Sequence, residues 1–101
     1  MFAVAVTVAP AVEELLFRGL LLQMLWRYTR HAWVSILVCG AFFGLIHGQP
    51  QDILPLGTMG VMLGYVRLRT GSLLACIVAH ALFNARTMVV AVFFPELMGG
   101  G

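Results

Sequence analysis

The chain has 101 residues, of which 61% are hydrophobic and 10% charged, with a formal net charge of +2. Soluble domains average about 45–50% apolar and about 25% charged residues, and a single short domain cannot bury so much apolar surface in one core. Lipid is therefore the solvent this composition implies. Six arginines with no lysine and no basic run exclude a nucleic-acid-binding role, which needs a dense cationic face.

The first apolar block runs from Phe2 to Tyr28. Its opening, MFAVAVTVAPAV, has no positive n-region, and the apolar pattern resumes past the glutamates, so it reads as the first half of a membrane helix rather than a signal peptide. Pro10 predicts a kink just before Glu13 and Glu14. Arg27, Arg30 and His31 form the first polar break, with His31 at the interface. The second block, Trp33 to His47, carries no formal charge, and at 1.5 Å per residue it spans ~22 Å, short of the ~30 Å hydrocarbon core. GQPQD, residues 48–52, is a turn signal.

The third block, Ile53 to Leu68, contains Gly57, Gly60 and Gly64, whose small size predicts close helix packing. RLRTGS then breaks the pattern with Arg67, Arg69 and Gly71. The fourth block, Ser72 to Phe94, ends at Pro95, Glu96 and a GGG tail. These blocks predict an all-α, polytopic transmembrane bundle of about four membrane helices. They form one domain over residues 1–98, with a flexible tail at 99–101, either as a compact core or as an N-terminally truncated piece of a longer protein. Arginines gather in the breaks after the first and third blocks, which places that side in the cytoplasm. Cys39 and Cys76 lack CxxC spacing and read as two small buried thiols.

Charges inside apolar blocks are functional suspects, because burying them in hydrocarbon costs several kcal/mol unless they are paired or wetted. Counting from the arginine side at 1.5 Å per residue puts Glu14 at ~20 Å, His47 at ~21 Å, His80 at ~16 Å and Asn84 at ~22 Å. Three blocks thus carry their polar residues to one depth. Glu14 and Arg18 share a helix face at i,i+4, as do His80 and Asn84, and Phe43 and His47. Glu13 points ~100° away from Glu14 and is free for a second role. Arg86 lies near the far end of its block and reads as a snorkelling residue.

The motifs EELLFR (Glu13, Glu14, Arg18), FGLIH (Phe43 to His47) and HALFN (His80 to Asn84) resemble, in order, the EExxxR, FxxxH and HxxxN patterns of the CPBP intramembrane proteases. These are also called the CAAX-protease or Abi family. The resemblance implies that Glu13 and His47 activate water. It implies that His80 and Asn84 hydrogen-bond the developing oxyanion, and that Glu14 and Arg18 orient the site. It also leaves two cofactor readings open: a metal-free glutamate protease, or a divalent metal such as zinc on Glu13, His47 and His80, a three-ligand set. The expected partners are membrane lipid and a peptide or protein substrate near the bilayer; the expected location is that of a multi-pass integral membrane protein, in the plasma membrane if the source is bacterial. A non-catalytic membrane binding or bacteriocin-immunity protein is the alternative. A small ion or proton carrier is the third reading of buried Glu and His.

Overall fold

The computed structural model describes residues 7–98, and among these the fold is all-helical with no strand. The first helical rod has three parts: α1 (Ala9–Glu14), a π-helical stretch (Leu15–Leu21) and α2 (Leu22–Thr29). Pro10 lies in the first turn of α1, and the backbone is π-helical on both sides of that segment, at Thr7 and Val8 before it and over Leu15–Leu21 after it. Within the π-helical stretch the Leu22 N–H reaches back five residues to the Phe17 carbonyl. Arg30 closes α2 in the left-handed conformation at φ 59°, with its N–H on Trp26 O at 2.8 Å, a place that glycine usually fills.

α3 (Ala32–Leu45) follows after a two-residue break, and α4 (Pro50–Thr70) after a short turn through Gly48, whose φ is +79°. α4 starts earlier than the turn signal in GQPQD predicts. Pro50 takes the first-turn position and Asp52 sits in the same turn, both of which favour a helix start. Gly71, at φ +71°, ends α4 with its N–H on Arg67 O. Ser72 caps α5 (Leu73–Phe93) by accepting the Ala75 N–H at 3.0 Å, and a 3-10 turn (Pro95–Met98) follows. The tail at 99–101 and the start of the first block at residues 1–6 lie outside the described residues.

α3 and α4 run antiparallel in very close contact. A Cβ on Gly40 would meet Val61 N at 2.8 Å, one on Gly44 would meet Ile53 O at 2.7 Å, and one on Gly60 would meet Gly40 Cα at 2.9 Å. The packing expected of Gly57, Gly60 and Gly64 thus depends equally on Gly40 and Gly44 across the interface. The interior holds Phe17, Leu22, Ile36, Phe43, Met59 and Leu63. Cys39 and Cys76 are free and buried there, and their thiols donate to Phe17 O at 3.6 Å and Leu63 O at 3.4 Å.

The burial pattern is inverted relative to a soluble domain. Leu54, Leu74, Leu82 and Phe93 are 65–79% exposed, while Glu14 and Arg18 are wholly buried and His80 is 3% exposed. Such a distribution suits an apolar solvent around a polar interior. By length and apolarity together, α5 qualifies among the described residues as a membrane span. α3 is apolar but has 14 residues, and α4 carries Asp52, Arg67 and Arg69 along its 21. The all-α expectation holds, and the expectation of four spans is met by one clear span.

The glycine contact makes a direct prediction. Gly44→Ala should destabilise the fold by about 1–3 kcal/mol, because the new methyl group meets backbone that cannot swing aside. Gly57→Ala, whose Cβ would find Gly40 O at an ordinary 3.7 Å, should be neutral or slightly stabilising, since alanine is the better helix former. Denaturant unfolding of both variants in detergent micelles checks the contrast; equal losses would contradict this packing.

Candidate active site

Three helices deliver the polar side chains to one place. α1 ends in Glu13 and Glu14, α3 is followed directly by Ile46 and His47, and α5 presents His80 at mid-length. The Glu14 carboxylate is the inner anchor. Its Oε2 accepts from Arg18 Nη1 at 3.1 Å and from His80 Nδ1 at 2.6 Å. Arg18 Nη2 donates onward to the Gly60 carbonyl of α4 at 2.8 Å. Taking Arg18 and Glu14 out of water is costly, and mutual pairing with additional hydrogen bonds is what offsets it.

Glu13 forms the outer layer. Its Oε1 lies 3.4 Å from His80 Nε2 and its Oε2 lies 3.5 Å from His47 Nε2. The Glu13 and His47 side chains are 34% and 27% exposed, so this layer is reachable while the Glu14 layer is sealed. His47 Nδ1 sits 2.6 Å from Phe43 O. A carbonyl only accepts, so Nδ1 carries a proton, and Nε2 is the nitrogen that faces Glu13.

The Phe43 ring is the wall between the layers. It is wholly buried and meets His47 at 4.8 Å and His80 at 5.7 Å, both edge-on, with the Arg18 guanidinium 4.7 Å from its centre. It thus fixes both imidazoles and gives Arg18 a cation–π contact. The motif spacing placed Phe43 on the His47 face but carried no sign that its ring would touch three site residues at once.

Five of the six residues expected at the site are brought together: Glu13, Glu14, Arg18, His47 and His80. Asn84 is one turn beyond His80 on the same face of α5 and is half-buried. Arg86 is exposed, with its guanidinium 5.0 Å from the Phe83 ring on its own helix, and His31 is exposed at the α2–α3 break. Among the described residues no group of three His, Cys, Asp or Glu side chains is arranged to hold a metal ion. A zinc site needs its donors about 2.0–2.2 Å from one point, whereas His47 and His80 meet different oxygens of Glu13.

The family model for Type II CAAX prenyl endopeptidase Rce1-like proteins matches residues 1–86. The chain belongs to that family. The resemblance read from the three motifs is therefore correct, and the family is one of membrane peptidases. The chain is 30% identical over 101 residues to "Uncharacterized protein YyaK" of Bacillus subtilis, covering 92% of this chain and 33% of that protein. It is 34% identical over 76 residues to an "Uncharacterized 24.3 kDa protein" of Escherichia coli, covering 71% and 35%. It is 26% identical over 90 residues to "Putative membrane peptidase YdiL" of Bacillus subtilis, covering 89% and 36%. The chain thus spans about a third of the length of these curated relatives. No solved structure matches it.

The buried pair can be tested by a double-mutant cycle. Arg18→Met should cost about 3–5 kcal/mol by stranding the Glu14 carboxylate. Arg18→Met combined with Glu14→Gln should cost less than the sum of the two single changes, by about 1–3 kcal/mol. Unfolding free energies of the four proteins in mixed micelles give the coupling; strict additivity would mean that the two side chains do not depend on each other.

Proposed function

We propose that this chain is the catalytic core of a multi-pass intramembrane peptidase that hydrolyses a peptide bond of a membrane-associated peptide or protein. The observation that carries the reading is the Glu13 carboxylate set between the Nε2 atoms of two imidazoles, at 3.4 and 3.5 Å, on the accessible side of a buried ion pair. In this reading a water bound between Glu13 and His47 gives a proton to the Glu13 carboxylate as its oxygen attacks the scissile carbonyl carbon. The carbonyl oxygen becomes an oxyanion and takes hydrogen bonds from His80 and Asn84, each such donor contributing about 3 kcal/mol to transition-state stabilisation. Glu13 then returns the proton to the departing amide nitrogen as the C–N bond breaks.

The Glu14 contact constrains the role of His80. Nδ1–H is committed to Glu14 at 2.6 Å. Donation from Nε2 to an oxyanion therefore requires the doubly protonated ring, and Glu14 supplies the charge that offsets it. Arg18 balances Glu14 in turn and holds it against α4 through Gly60. Glu14 and Arg18 act through His80 and are positioning residues.

In the proposed topology the apolar helices cross the bilayer in alternation, with Arg27, Arg30, Arg67 and Arg69 on the cytoplasmic side. Residues 1–98 act as one domain. The protein sits in the plasma membrane of a bacterial cell, and its substrate approaches from or near the bilayer.

Proteoliposome cleavage of membrane-anchored peptides tests the chemistry. Glu13→Gln and His47→Ala should each lower kcat by about 10²–10⁴-fold, and Asn84→Ala by about 10²–10³-fold, with helicity retained by circular dichroism. Undiminished cleavage by Glu13→Gln would remove Glu13 as the base. A proton flux across the same liposomes that depends on Glu13, in the absence of cleavage, would favour a carrier instead.

A further inference from the structure

The arginine end of the bundle carries a groove that the peptidase chemistry does not use. On α3, Trp33, Leu37 and Ala41 form an i,i+4 stripe, and on α4 Leu54, Thr58, Val61, Tyr65 and Arg69 form the facing one. Both stripes lie on the outer side of the α3–α4 contact, away from Met59, Gly60 and Leu63, which face the interior. Three cavities follow one another along this seam. The first, about 170 Å³, is lined at the arginine end by Ala32, Trp33, Ile36, Tyr65, Leu68 and Arg69. The second, about 340 Å³, shares Trp33 and Tyr65 with it and adds Val61, Met62 and Val66. The third, about 450 Å³, shares Val61 and continues past Leu37, Ala41 and Gly57 to Leu54. The groove is polar at one end and apolar along its remaining length.

Its polar end is a place for an anion. Arg69 lines it, while Arg27 and Arg30 line a separate cavity with Trp26, and the four acidic residues of the chain lie elsewhere: Glu13 and Glu14 in the site, Asp52 in the first turn of α4 and Glu96 beyond α5. No carboxylate among the described residues pairs with Arg69. Trp33 and Tyr65 stack beside it, with ring centroids 5.7 Å apart and planes 23° apart, each about half exposed. Aromatic pairs of this kind sit at headgroup depth in membranes. From Arg69 to Leu54 the groove runs ~22 Å at 1.5 Å per residue, longer than the ~15 Å of one leaflet's hydrocarbon.

We propose that this seam is a binding site for an anionic phospholipid. The headgroup phosphate sits on the Arg69 guanidinium, the glycerol lies against Trp33 and Tyr65, and one acyl chain runs down the groove that Gly57 and Ala41 leave open. A free phosphate would match the arginine but leave the apolar length empty. A zwitterionic lipid would fill the length but bring a compensating cation to Arg69. The inference rests on the membrane reading of the chain and not on its peptidase chemistry.

Brominated lipids quench a nearby tryptophan, and a Trp26→Phe background leaves Trp33 as the sole reporter. In phosphatidylcholine vesicles, brominated phosphatidylglycerol should quench Trp33 at a mole fraction about fivefold lower than brominated phosphatidylcholine does, the effect of one basic residue at an anionic surface. Arg69→Gln should remove that preference, and Arg69→Lys should retain most of it. In the chain with Arg69 intact, added sodium chloride should weaken it, a readout that needs no change at the site. Glu13→Gln should leave it unaltered, which separates the outcome from that of the peptidase reading. Equal quenching by the two lipids, or a preference that survives Arg69→Gln and falls with Arg27→Gln, would overturn the assignment. So would relief of the quenching by inorganic phosphate alone.

Discussion

The Glu14 carboxylate holds the molecule's polar interior together. A bare carboxylate with no solvent exposure would cost far more than a small domain can supply. Here its Oε2 is met by both Arg18 and His80. Because Arg18 also reaches the Gly60 carbonyl, one acidic side chain on the first rod is tied to α4 and α5 together. The close glycine contact between α3 and α4 serves the same end, since the Gly60 carbonyl can be reached only where no side chain intervenes.

Two neighbouring glutamates thereby acquire different lives. Glu14 is sealed and committed to Arg18 and His80; Glu13 is a third exposed, and its partners are the unanchored nitrogens of His80 and His47. Each imidazole has its Nδ1 fixed, by Glu14 or by the Phe43 carbonyl, and so presents Nε2 outward. Anchoring one ring nitrogen to set the behaviour of the other is the usual way in which proteins choose a histidine's role. Phe43 adds rigidity without polarity, since its ring packs on both imidazoles and on the guanidinium.

The outer surface obeys the opposite logic. Large apolar side chains face outward along every helix, and four of the six arginines, Arg27, Arg30, Arg67 and Arg69, lie at the ends of α2 and α4. The seam between α3 and α4 combines both features: small residues open a groove, and Arg69 closes its polar end.

The sequence by itself determined the helical class, the family and which polar residues lie at a common depth. Composition, four-residue spacing and equal depth along helices are local or one-dimensional properties, and EELLFR, FGLIH and HALFN state them directly. It pointed to Pro10 for the irregularity of the first rod, and the longer π-helical stretch arises at Leu15–Leu21 where no residue signals it. Only the tertiary structure decided which glutamate is buried, that Gly40 and Gly44 pack against α4, that Arg18 ends on Gly60, and that Phe43 touches three polar groups. Those facts depend on how helices far apart in the chain approach one another, and spacing along a single helix holds no information about the distance to its neighbour.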